Sequence, residues 1–131
     1  MAEDRPFEGL RVLIAEDNLF AAMGVEQALR DLGCEPVGPA ARVDDAMRLA
    51  REETLNGALL DVELDGELIF AVAEELERRG VPVIFATGYD NGIFPAAFVR
   101  HPCLRKPYGE QDVRQVLEGV MRPGSEPASD T

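Results

Sequence analysis

Ala58-Leu59-Leu60-Asp61-Val62, near the middle of the chain, is the stretch whose reading decides the fold. A short apolar run of this kind reads as a buried strand of a parallel sheet. It ends in one carboxylate, at the strand end where α/β proteins place their chemistry. A lone Asp after a strand is ordinarily a loop residue, so the weight of the reading rests on what surrounds Asp61.

Toward the N-terminus, Val43 to Glu52 has the apolar spacing of a helix, with Val43, Ala46 and Ala50 inward. Glu35 to Ala40 reads as a strand, and Pro36 and Pro39 place it at a sheet edge. Leu10 to Ala15 is a buried strand running into Glu16-Asp17-Asn18. Asn18 is a suitable N-cap for a helix to about Leu32, whose stripe is Ala22, Val25, Leu29 and Leu32 and whose stop is Gly33. Toward the C-terminus, Gly66 breaks the chain, and a helix is expected from about Glu67 to Arg79, burying Ile69, Val72, Ala73 and Leu76. Val81 to Ala86 is strand-like and closes at Thr87-Gly88. Gly92 and Pro95 allow only a short or irregular helix within Tyr89 to Val99. His101 to Leu104 is the fifth strand, an edge by Pro102, followed by Lys106-Pro107 and a last helix over Glu110 to Met121.

Five strands alternating with about five helices predict right-handed βαβ units and a parallel sheet covered on both faces. The fold class is α/β, flavodoxin-like (βα)5. With the second and fifth strands at the edges, the order is 2-1-3-4-5. A chain of 131 residues suits one domain, with residues 1–8 as an N-terminal extension, 9–121 as the folded unit and 122–131 as a disordered tail. The net charge of −12 argues against nucleic-acid or anionic-membrane partners. Cys34 and Cys103 show no metal-ligand spacing and read as thiols of a reducing compartment. Met1 to Pro6 lacks a signal-peptide core, no stretch reaches membrane-spanning length, and a cytoplasmic location is expected.

In this order of strands Asp17, Asp61, Thr87 and Lys106 fall at one end of one sheet. Phosphoryl transfer accounts for each type. Asp61 would be the nucleophile that forms an acyl-phosphate. The charge of Glu16, Asp17 and Asp61 calls for a divalent cation, and Mg2+ accepts one or two carboxylates with several waters and a phosphate oxygen. The main-chain carbonyl of Glu63 would complete that shell. Lys106 supplies a compact positive charge for one phosphate oxygen and the Thr87 hydroxyl a hydrogen bond for another. A cis Lys106–Pro107 bond would aim the lysine back into the pocket.

Glu16-Asp17, Asp61, Thr87 and Lys106-Pro107, each after its own strand, resemble the receiver domain of bacterial two-component response regulators, over roughly Gly9 to Met121. Phe85-Ala86-Thr87-Gly88-Tyr89 is similar to the signature of FATGUY-type receivers, which often stand alone. The resemblance implies a phosphoacceptor switch: phosphate passes to Asp61 from a histidine kinase or phosphotransferase, with Asp17 binding Mg2+ directly and Glu16 partly through water. The output would be phosphorylation-dependent contact with another signalling protein, and the only chemistry its own phosphorylation and dephosphorylation. Nothing in the sequence sets the oligomeric state.

Several positions depart from the family pattern. Cys103 stands where most receivers carry an aromatic switch residue, and Tyr89 is the candidate replacement, gating the site or meeting a partner. Asp65-Gly66 replaces the usual proline region after the phosphoacceptor, so the loop there is expected to be shorter and differently shaped. The Glu63 side chain either tunes water access at the site or points to solvent.

Two other function classes share these residues. A Mg2+-dependent phosphatase or phosphotransferase for small molecules would use a strand-end Asp, but usually wants a second Asp where Glu63 stands. A receiver-like scaffold would bind partners without phosphorylation. Plainer roles also exist: Glu16-Asp17 as a helix-start acidic pair, Thr87 as a turn cap, Lys106 as a surface charge, His101 as structural, and Phe94 and Phe98 as packing residues.

Overall fold

The computed structural model describes residues 7–88 and 94–121. In chain order its elements are β1 (Arg11–Ala15), α1 (Leu19–Asp31), β2 (Glu35–Ala40), α2 (Val43–Glu52), β3 (Gly57–Asp61), β4 (Glu63–Leu64), β5 (Glu67–Leu68), α3 (Phe70–Arg78), β6 (Val83–Thr87), a 3-10 turn at Ala96–Phe98, β7 (Cys103–Arg105) and α4 (Glu110–Val120). The main sheet has five parallel strands in the order β2-β1-β3-β6-β7. With the short β4–β5 pair set aside, this is the expected 2-1-3-4-5 order. The proline-bearing strand β2 is at one edge, and its register with β1 shifts between Leu13 and Ala15, opposite Gly38–Pro39.

Alternation along the strands divides the core between the two faces of the sheet. Leu13, Leu60 and Phe85 share one buried cluster with Ala46, Ala50, Val72 and Leu76 of α2 and α3. Val12, Ile14, Leu59 and Ile84 face the other way and join Val25 and Leu29 of α1 and Val113 and Leu117 of α4. Fully burying a Leu, Ile or Phe contributes about 1.5–3 kcal/mol each, so both clusters hold helices to the sheet mainly by apolar burial. α1 starts as its sequence requires, the Asn18 side chain accepting from Ala21 N–H at 2.9 Å.

One expectation changes. The helix expected from Glu67 begins at Phe70, because Glu63–Leu64 and Glu67–Leu68 form an antiparallel hairpin. Asp65 at φ 48° and Gly66 at φ 85° make its turn, and an Asp-Gly pair favours a hairpin turn with both central residues left-handed. The loop after Asp61 is therefore an ordered hairpin; its pairing takes Glu67 and Leu68, and Ile69 becomes the helix N-cap. Between β6 and β7, where the sequence allows only a short or irregular helix, the described residues hold the 3-10 turn at Ala96–Phe98, and four α-helices are found among the described residues.

Phe94 and Phe98 are packing residues. Phe98 is fully buried and stacks on Phe70 at 5.7 Å between ring centroids, and Phe94 meets Phe85 edge-on at 5.1 Å. His101 lies against Phe98 at 5.1 Å, and its Nε2 contacts the Glu77 carboxylate, which makes its role structural. Cys34 and Cys103 are both free thiols, and burial pushes Cys34 up to about 11. Tyr89, the candidate switch residue, lies outside the described residues, as does the tail from 122 to 131.

Candidate functional site

Asp61 and Thr87 are the last residues of the central strands β3 and β6, while Asp17 and Lys106 follow β1 and β7 directly or within two residues. All four strands run parallel, so their C-terminal ends share one rim of the sheet. The chain thus gathers side chains separated by up to about ninety positions without any covalent tie.

One carboxylate oxygen each of Glu16, Asp17 and Asp61 lies within 4.8 Å of the others. Glu16 and Asp61 are buried and Asp17 is exposed at the mouth. Lys106 is the cation that holds the buried pair together: its Nζ is 2.9 Å from Asp61 Oδ2 and 3.0 Å from Glu16 Oε1. The second Glu16 oxygen, Oε2, accepts from Asn18 N–H at 3.0 Å. Both Glu16 oxygens are therefore engaged by protein donors. Asp17 Oδ2 accepts from the main-chain N–H of Asp65 at 2.8 Å, which ties the hairpin tip to the site.

Asp17, Asp61, Glu63, Gly66, Gly88 and Lys106 line a cleft of about 360 Å³. Glu63 is thus beside the site as expected, although its carboxylate is outside the Glu16–Asp17–Asp61 trio. Thr87 is almost fully buried at 1% exposure, one residue from the cleft wall at Gly88. Its carbonyl accepts from Lys106 N–H at 3.0 Å, which joins β6 to the start of the Lys106–Pro107 bend. That peptide bond is cis.

Burial drives the Asp61 carboxyl up to about 6, and the charges of Glu16 and Asp17 push the same way against the hydrogen bond from Lys106. Burial would lower Lys106, but its hydrogen bonds to Asp61 and Glu16 outweigh this and raise its pKa. The phenol of Tyr108 is pushed up to about 12, by burial and then by the Glu16 carboxylate. Three carboxylates facing one ammonium leave a surplus of negative charge. Oxygen-only donors of this kind suit a hard cation such as Mg2+ rather than a soft metal.

Sequence reasoning placed Asp17, Asp61, Thr87 and Lys106 on one rim, and the structure brings them there. It missed the Asp65 N–H, which is a main-chain donor with no residue-type signature; the signal available was the Asp65-Gly66 turn pair between Glu63-Leu64 and Glu67-Leu68. It also passed over a groove of about 690 Å³ beside Lys106, lined by Phe20, Ala21, Gly24, Pro107, Tyr108 and Val113 among others. Leu19, Phe20 and Met23 stand exposed on α1 next to it, Phe20 at 82%.

Residues 12–118 match the family model of the response regulator receiver domain. The sensory transduction protein LytT of Bacillus subtilis is 30% identical over 113 residues, 83% of this chain and 47% of LytT, so the chain spans about half the length of that relative. The solution structure of SdrG from Sphingomonas melonis superposes with a TM-score of 0.75 at 35% identity, covering 84% of this chain and 94% of SdrG. The response regulator PhyR from Brucella abortus gives a TM-score of 0.77 at 27% identity, over 92% of this chain and 51% of PhyR.

Proposed function

The chain belongs to the response regulator receiver domain family, and from that premise we propose that it is a cytoplasmic phosphoacceptor switch carrying its phosphoryl group on Asp61. The observation that carries this reading is the double grip of Lys106 on Asp61 and Glu16, 2.9 and 3.0 Å away, with Asp17 beside them.

In the proposed reaction the Asp61 carboxylate attacks the phosphorus of a phosphohistidine on a histidine kinase or phosphotransferase. An O–P bond forms, the P–N bond breaks, and the imidazole leaves with the electron pair. Asp17 and Asp61, with the Glu63 main-chain carbonyl, would hold Mg2+, and Glu16 would act on it through water. The bound cation would supply neutralisation of charge on the transferred oxygens. Lys106 keeps its ammonium charged and would turn from Glu16 and Asp61 to a phosphoryl oxygen. The Thr87 hydroxyl would take another, drawing the end of β6 with it. The groove between α1 and Tyr108, opening beside Lys106, would receive the donor protein, with Phe20 as its apolar anchor.

Output would follow from contact with another signalling protein, driven by close to two added negative charges. Self-phosphorylation and self-dephosphorylation would be its only chemistry. Incubation with a small acyl-phosphate donor and Mg2+ should add one hydroxylamine-labile phosphoryl group, absent in Asp61→Asn. Retention of that group by Asp61→Asn, or steady turnover of assorted phosphomonoesters, would reject the assignment.

A further inference from the structure

We propose that the β4–β5 hairpin is a positioning device for the cation site, acting through the main-chain N–H of Asp65 on the carboxylate of Asp17. The inference rests on the reading of Asp17 as a Mg2+ ligand. Asp17 is exposed, in the turn between β1 and α1. The Asp65 N–H donates to Asp17 Oδ2 at 2.8 Å, which restrains the carboxylate where one of its oxygens lies within 4.8 Å of those of Glu16 and Asp61. Losing a donor that orients a metal-binding carboxylate typically weakens metal affinity by about 10–100-fold.

The hairpin is built to hold that donor still. At its root Val62 N–H donates to Ala86 O at 3.1 Å and Ile69 N–H to Val62 O at 2.9 Å, while Leu64 is fully buried. At its tip Asp65 is the one non-glycine with positive φ among the described residues, at 48°, and Gly66 follows at 85°. From this turn the Asp65 N–H reaches Asp17, just past the end of β1. The Asp65 side chain does something separate, reaching Arg42 at 3.4 Å with both groups largely exposed, a pair of little energetic weight. The main-chain donor and the side-chain charge of Asp65 are therefore separable by substitution.

Asp65→Asn and Asp65→Gly remove the charge but keep the left-handed conformation readily. Asp65→Val opposes it, since a β-branched residue is an outlier there. Gly66→Ala gives a second route: no atom lies within 4 Å of the added Cβ, so any effect comes from the positive φ alone. Mg2+ binding to the full chain is followed by amide chemical shifts, with thermal unfolding in parallel. The Asn and Gly variants should bind Mg2+ within about twofold of the parent, while Asp65→Val and Gly66→Ala weaken it about tenfold. Acyl-phosphate labelling of the two weakened variants should return to the parental rate at saturating Mg2+, which a general loss of structure would not allow. In the metal-free parent the Asp65 amide should exchange slowly with solvent.

Parental affinity in a folded Asp65→Val or Gly66→Ala would overturn the proposal, as would a rapidly exchanging Asp65 amide. Equal weakening in Asp65→Asn would move the effect to the side-chain charge and overturn it too. A parent that binds no Mg2+ would instead remove the underlying metal reading, and the proposal with it.

Discussion

Thr87 and Lys106 are bonded main chain to main chain: the Lys106 N–H donates to the Thr87 carbonyl at 3.0 Å. The two residues proposed to follow an incoming phosphoryl group are thus coupled before it arrives. The same lysine ends in an ammonium 2.9 Å from Asp61.

Removing that ammonium should expose the charge imbalance it masks. In Lys106→Met the buried Glu16 and Asp61 carboxylates lose their shared partner. We expect the metal-free protein to lose about 1–3 kcal/mol at pH 7, less than a fully enclosed pair would because the lysine is partly exposed. Mg2+ should bind more tightly and restore most of the loss. Thermal unfolding with and without Mg2+ measures both effects; an equal loss in saturating Mg2+ would contradict the charge argument.

The raised Asp61 pKa has a definite sign in stability. Its folded value of about 6 lies above the usual 3.8, so between these values the folded state holds a proton that the unfolded chain releases. Asp61 therefore favours folding at low pH, and that contribution is lost as pH rises from about 4 through 6, by about 2–3 kcal/mol for a shift of this size. Asp61→Asn should stabilise the metal-free protein at pH 7 and confer no advantage near pH 4. Denaturant titrations at the two pH values, without Mg2+, decide it.

The proposed anchor Phe20 should separate donor recognition from chemistry. It is 82% exposed on α1 and contributes little to the core, so Phe20→Ala should change stability by less than about 0.5 kcal/mol. Labelling by a small acyl-phosphate should be unaffected. Transfer from a phosphohistidine-bearing protein should fall about tenfold or more if Phe20 anchors that partner. Equal rates from both donors would place docking elsewhere.

The aromatic cluster ties the segment after Thr87 to α3. Phe98 is buried at 1% exposure between Phe70 and Phe85, and Phe98→Ala should cost about 3–5 kcal/mol. Phe94, half-buried, should cost clearly less. Denaturant midpoints with unchanged slopes would verify the ranking; equal costs would show that burial is not what sets it.

Apolar periodicity and turn residues were enough to specify the five-strand rhythm, the Asn18 cap and the edge position of β2, because each is a local preference of the backbone. The same rhythm put Asp17, Asp61, Thr87 and Lys106 on one rim, since strands that run parallel end on the same side of their sheet. Tertiary structure alone decided how those groups share their charges. That Lys106 bridges Glu16 and Asp61, that burial lifts Asp61 to about 6, and that Asp17 takes its bond from Asp65 depend on distances of a few ångströms between remote segments. The hairpin marks the boundary between the two kinds of information: Asp65-Gly66 carries its turn in the sequence, but the target of the Asp65 N–H exists only once β1 and β3 lie side by side.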